Sequence, residues 1–121
     1  MGDPMKPSPD YVLTVDLGHP PRPAARVEAD LEALLMKVRN SHQYRAIKVI
    51  HGYGSHGRGG STRETVRDWA YNARKRLRAT ITGESYGIFD DDTQEMRDEC
   101  GKIDDHDLNS ANSGITILWV K

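Results

Sequence analysis

The stretch Lys48-Val-Ile-His-Gly-Tyr-Gly-Ser-His-Gly-Arg-Gly-Gly-Ser61 decides how the rest of the chain is read. Lys48 to Ile50 closes a short β-branched run with strand character, and His51 stands at its tip. Five glycines follow, Gly52, Gly54, Gly57, Gly59 and Gly60, and then Ser61 and Glu64 take the spacing of a helix capping box. Strand, glycine-rich turn and helix N-terminus is an arrangement that turns backbone N–H groups and the positive end of a helix dipole toward an anion. Two histidines and Arg58 lie within the turn, with Lys48 and Arg63 at its flanks, so phosphate is the anion expected. The competing reading is a plain surface loop whose glycines only make a tight connection.

Working outward, Tyr11–Leu17 reads as a strand buried on both faces, and Gly18 ends it. Pro20, Pro21 and Pro23 lead into a helix expected over Pro23–Arg39, with Val27, Leu31, Leu34, Leu35 and Val38 on one stripe. Ala46–His51 is the second strand, parallel to the first because a helix separates them. The next helix is expected over residues 62–78, burying Val66, Trp69, Ala70, Ala73 and Leu77. A short strand Ala79–Thr82 follows. In the acidic segment 84–113 a helix Thr93–Cys100 is expected, with Asp92 and Glu95 for capping and Gly101 to end it. Ile115–Val120 is the last strand. The fold class is therefore α/β, a βαβαββ two-layer sandwich with a four-stranded mixed sheet and two main helices. Residues 1–10, with three prolines, read as a disordered leader, and 11–121 as one domain.

The net charge of −1 hides an asymmetry. Residues 39–78 hold ten Lys/Arg against two Asp/Glu, whereas residues 79–121 hold three against ten. A basic block beside a glycine turn is the footprint of a polyanion partner, DNA or RNA. Mutual neutralisation of the two halves is the alternative. The acidic residues fit no calcium-loop spacing, so a solvated acidic loop is expected there rather than a metal site. One cysteine, Cys100, excludes an internal disulfide, and no apolar run suggests a signal peptide or membrane span, which points to the cytoplasm.

Three segments, in order, resemble the Smr (small MutS-related) domain family: Thr14-Val-Asp-Leu17, His51-Gly-Tyr-Gly54 and Ser113-Gly-Ile-Thr-Ile-Leu-Trp-Val120. The family carries Asp-Leu-His-Gly at the end of its first strand and His-Gly-x-Gly at the end of its second. The resemblance implies a fold like the C-terminal domain of translation initiation factor three. It also implies DNA nicking or RNA cleavage, with links to mismatch repair, recombination and ribosome-linked RNA cleavage. Here the first motif reads Asp16-Leu17-Gly18-His19, with glycine at the family's histidine position and a histidine one residue later. The acidic connection before the last strand is also longer than the family's.

Parallel strands one and two should place Asp16, His19 and His51 at one sheet edge, where open α/β sheets bind ligands. His51 is the expected general acid or base, and Asp16 its orienting carboxylate or itself the base. His19 is a candidate for the displaced histidine's role. Lys48, Arg58, Arg63 and Arg67, with the amides of Gly52 and Gly54, are expected to hold the nucleic-acid phosphate. No cofactor is readable, with Mg2+ the one candidate carried. Three functions stand open: an endonuclease, a non-catalytic nucleic-acid or ribosome binding module, and a small phosphate-ligand (nucleotide) domain. The last draws on Gly52, Gly54 and Gly57, but lacks the P-loop lysine and the acidic residue of a dinucleotide site.

Overall fold

The computed structural model describes residues 10–53 and 61–121. All but the last residue of the expected leader, and Gly54 and Arg58 of the expected phosphate site, lie outside the described residues. The elements run β1 Val12–Asp16, α1 Ala24–Arg39, β2 Ala46–Ile50, α2 Thr62–Asn72, β3 Leu77–Thr82, α3 Asp91–Cys100 and β4 Ile115–Val120. They form one four-stranded mixed sheet in the order β1-β2-β4-β3. β1 and β2 are parallel, with Asp16 opposite Ile50, and β4 runs antiparallel to both β2 and β3.

The period-2 alternation of the strands divides the core. Leu13, Val15, Ile47, Val49, Leu118 and Val120 face α1 and α2, where Val27, Leu31, Leu35, Val66 and Trp69 pack. Val12, Ala46, Ile81, Ile115, Ile117 and Trp119 face the other way and are covered by Tyr86 and Met96 of the acidic segment. The two main helices thus make one layer with the sheet, and α3 covers its second face. β4, central and covered on both sides, is buried at all six positions.

Three elements differ most from expectation: α2, β3 and α3. α2 stops at Asn72, and a single 3-10 turn Arg74–Arg76 precedes β3, which begins at Leu77. The run Arg74-Lys75-Arg76 offers a continued helix nothing apolar to bury, whereas Leu77 as a strand residue pairs with Val120 and enters the core. Arg78 then lies over the Trp119 ring, 4.3 Å from its centroid. α3 begins earlier than expected, because Asp90 is the cap. Its carboxylate accepts from the Thr93 N–H at 2.9 Å and the Thr93 hydroxyl at 2.8 Å. Gly101 ends α3 at φ +131°, a left-handed backbone that favours glycine.

The larger correction concerns the acidic segment, which is not simply solvated. Lys48, in mid-strand on the α3 face, is buried, and its Nζ donates to Asp105 at 2.6 Å and Asp107 at 2.8 Å. Asp105 also accepts from the Tyr86 hydroxyl at 3.0 Å, and Asp107 from the Asn112 side chain at 3.0 Å. Burial pushes both carboxyls up, but the ammonium and these donors outweigh it and hold both below the usual carboxylate range.

Removing the cation alone strands two buried carboxylates, so Lys48→Met should cost about 3–5 kcal/mol in denaturant unfolding. Adding Asp105→Asn and Asp107→Asn to it should recover most of that loss. The depressed carboxyls stabilise the fold above the ordinary carboxylate pKa, and this contribution disappears as pH falls through their lower folded values. Asp105→Asn should therefore flatten the acid limb of the stability profile. A Lys48→Met protein as stable as the parent would remove the pair from its structural role.

Candidate functional site at the strand ends

The turn after β1 is built on Asp16. Its Oδ1 accepts from the N–H of Gly18 at 2.9 Å and of His19 at 3.0 Å, closing an Asx-type turn. That turn carries the His19 ring back over the same carboxylate, with Nδ1 3.2 and 3.1 Å from its two oxygens. A carboxylate only accepts, so Nδ1 holds a proton and, in the neutral ring, Nε2 holds the lone pair. Partial burial raises the Asp16 carboxyl, but the two N–H donors and the imidazole more than offset it and keep it ionised below its usual range. The His19 side chain is 68% exposed.

Gly18 is fixed by contact. A Cβ there would lie 2.8 Å from the backbone oxygen of His51, so no side chain fits without displacing β2's end. The one-residue shift of the histidine is thus a different turn, in which position 18 carries no side chain and position 19 reaches the carboxylate.

His51 does not join this pair, and strand parity is the reason. Asp16 is in register with Ile50, so the next residue points to the opposite face. His51 is 4% exposed on the side of α2. Its Nδ1 lies 2.7 Å from the Gly52 carbonyl oxygen, which only accepts, and its Nε2 lies 2.8 Å from the Thr116 hydroxyl. Thr116 in turn accepts from Arg67 Nε at 3.0 Å, and Arg67 forms a two-pronged ion pair with Glu84 at 3.1 and 2.7 Å. A proton on Nδ1, with the Thr116 hydroxyl donating to Nε2, satisfies the chain from Glu84 to Gly52. Burial lowers the His51 pKa, the Gly52 carbonyl opposes that, and the charges of Arg67 and Arg63 lower it further. The expected general acid or base is therefore a neutral structural imidazole with both nitrogens engaged.

The expected phosphate holders fare unevenly. Lys48 is neutralised inside the fold, and Arg67 is spent on Glu84, Thr116 and the Ile115 carbonyl. The Gly52 N–H donates to the Gly114 carbonyl at 3.1 Å, so it is not offered to an anion. Arg76 pairs with Glu32, and Arg78 with Glu95 and Glu99. Much of the basic block is thus internally balanced, as the neutralisation reading allowed. Arg63, on the first turn of α2 and near enough to His51 to lower its pKa, has no ion pair among the described residues.

What the strand ends do assemble is a cleft of about 300 Å³ on the α3 face. His19, Gly52, Tyr53, Lys48, His106 and Asp107 are among its lining. Gly52, at φ +81°, brings the chain past His19 and leaves Tyr53 68% exposed. The sequence reasoning missed Tyr53, Thr116, Asp107 and His106. A lysine inside an otherwise apolar strand was the available signal, since such a charge demands carboxylates from elsewhere. Asp105, His106 and Asp107 approach one another within 4.8 Å, yet Lys48 Nζ already takes the cation's place on both carboxylates. This cluster does not fit Mg2+.

Comparison with family models, with curated proteins and with solved structures returned no match for this chain.

Gly18→Ala should destabilise the fold by about 1–3 kcal/mol in chemical unfolding, through the collision with the His51 carbonyl. An unchanged midpoint would contradict the close approach. Ring nitrogen NMR should find His51 as the neutral Nδ1–H tautomer at pH values below the ordinary histidine pKa of about 6.5. Because its folded pKa is lowered, its contribution is complete above about pH 6.5 and declines as pH falls through the folded value. A His51 that titrates like a solvated histidine would break the proposed hydrogen-bond chain.

Proposed function

We propose that this domain binds nucleic acid at the ends of β1 and β2 and cleaves a phosphodiester there, His19 acting as general base. The Asp16–His19 pair carries this reading: the carboxylate fixes the ring through Nδ1 and leaves Nε2 for a substrate proton. Asp16 is then the positioning carboxylate and supports positive charge on the ring in the transition state. Tyr53 offers an exposed aromatic face to a base, and Arg63 offers charge to the backbone. The resemblance of the three sequence segments to the Smr family supports the same reading. No described helix is long and apolar enough to cross a membrane.

A second reading is a binding module without cleavage. The burial of His51 and the internal pairing of Lys48, Arg67, Arg76 and Arg78 favour it, since both remove groups a nuclease would use.

Fluorescence anisotropy with short labelled DNA and RNA strands tests the site. Affinity should fall as salt rises, because released counterions drive such contacts. Tyr53→Ala with Arg63→Glu should weaken binding by roughly tenfold or more, a lost stack alone being worth about 1–3 kcal/mol. His19→Ala should leave affinity within a few fold and reduce cleavage by about 10²–10⁴. Unaltered affinity in the double variant would place the site elsewhere. Binding without any cleavage would select the second reading.

A further inference from the structure

We infer that the outer edge of β3 is a docking strand for an extended acidic peptide of a partner protein, which adds to the sheet there. β3 ends the four-stranded sheet, and among the described residues no strand pairs with its outer side. In an antiparallel pair, every second residue turns its N–H and C=O toward the neighbouring strand. Gly83 does so, its N–H reaching the Ile115 carbonyl at 3.0 Å, and Ala79 and Ile81 share its parity. Thr80 and Thr82 therefore turn theirs outward. The Thr82 carbonyl is taken by the N–H groups of Ser85 and Tyr86 at 2.9 and 3.0 Å. The Thr80 N–H, the Thr80 carbonyl and the Thr82 N–H have no partner among the described residues. An unpaired row of this kind is what an added strand binds.

The side chains beside that edge define the occupant. Thr80 lies opposite Leu118 and Thr82 opposite Thr116, so both face the layer of α1 and α2. With Arg67, Ala70 and Tyr71 of α2, and Arg74 just beyond it, they line a groove of about 370 Å³. Tyr71 is 66% exposed, an aromatic wall that the fold leaves uncovered. The Arg74 guanidinium lies over that ring, 4.3 Å from its centroid. Arg67, Arg76 and Arg78 each hold a glutamate, whereas Arg74 has no carboxylate partner among the described residues. A strand added to β3 sends alternate side chains into this groove. Apolar ones meet Ala70 and Tyr71, and a carboxylate meets Arg74. β3 itself contains no acidic residue, so a second copy paired through the same strand brings Arg74 no such partner. Charge complementarity thus selects a foreign acidic segment.

The test is an NMR titration of the full chain with the synthetic peptide Val-Thr-Glu-Thr-Val-Thr, which presents Val, Glu and Val on one face. Without peptide, the amides of Thr80 and Thr82 should exchange about tenfold or more faster than those of Ala79 and Ile81. Saturating peptide should slow both threonine amides and shift the resonances of Tyr71 and Arg74. Lysine in place of the peptide's glutamate, or Arg74→Glu in the protein, should each weaken binding by about two- to fivefold, and the two changes together should restore it. Methylating the peptide's backbone nitrogens removes its donors without touching the protein, and should cut affinity about tenfold or more. Undiminished binding of the methylated peptide would overturn main-chain pairing, and indifference to the charge exchange would overturn the acidic partner. No shift at β3 in millimolar peptide would overturn the inference as a whole. A concentration-dependent dimer that protects Thr80 and Thr82 in the absence of peptide would overturn it in favour of a second copy.

Discussion

Lys48 carries a full charge into the middle of a strand whose other residues are apolar, and much of the architecture answers that single fact. A buried ammonium without partners is too costly to survive folding, so carboxylates must reach it from elsewhere. Asp105 and Asp107 do so from 57 and 59 residues away. Their arrival lays the acidic segment across the second face of the sheet, where Tyr86 and Met96 bury beside Ile117 and Trp119. The same placement brings His106 to the strand ends. A segment whose composition reads as solvated is thereby part of the core.

Parity is the second organising constraint. Side chains of successive strand residues leave opposite faces, and the register Asp16–Ile50 puts Asp16 and His51 on different sides of the sheet. His51 is drawn into a chain with Thr116, Arg67 and Glu84 beneath α2, and its fit there leaves no nitrogen for chemistry. Asp16, on the other side, has only the turn after β1 to work with. That turn admits His19 because Gly18 has no side chain to collide with the His51 carbonyl. The two histidines nearest the strand ends thus divide into a structural one and an available one.

Charge follows the same logic. The basic block of residues 39–78 and the acidic block that follows it directly fold back on one another, as Arg67–Glu84, Arg78–Glu99 and Lys48–Asp105. Such pairs leave a much weaker field than the sequence asymmetry implies, so any polyanion site depends on a few well-placed groups rather than on net charge.

The sequence by itself determined the element order, the parallel β1–β2 pair, the stripe of α1 and the strength of β4. These are local matters of apolar periodicity, capping residues and glycine, and each reports its own segment. It also put Asp16 and His19 at one sheet edge, but with His51 as the ring Asp16 would orient, whereas the turn gives that carboxylate to His19. Only the tertiary structure decided that Lys48 is internal, that Asp105 and Asp107 leave the solvent, and that His51 is spent on Thr116. Each of these turns on which face a side chain takes and which distant residue meets it there. Those outcomes depend on strand register and on long-range packing, and neither is written in the residues of a single segment.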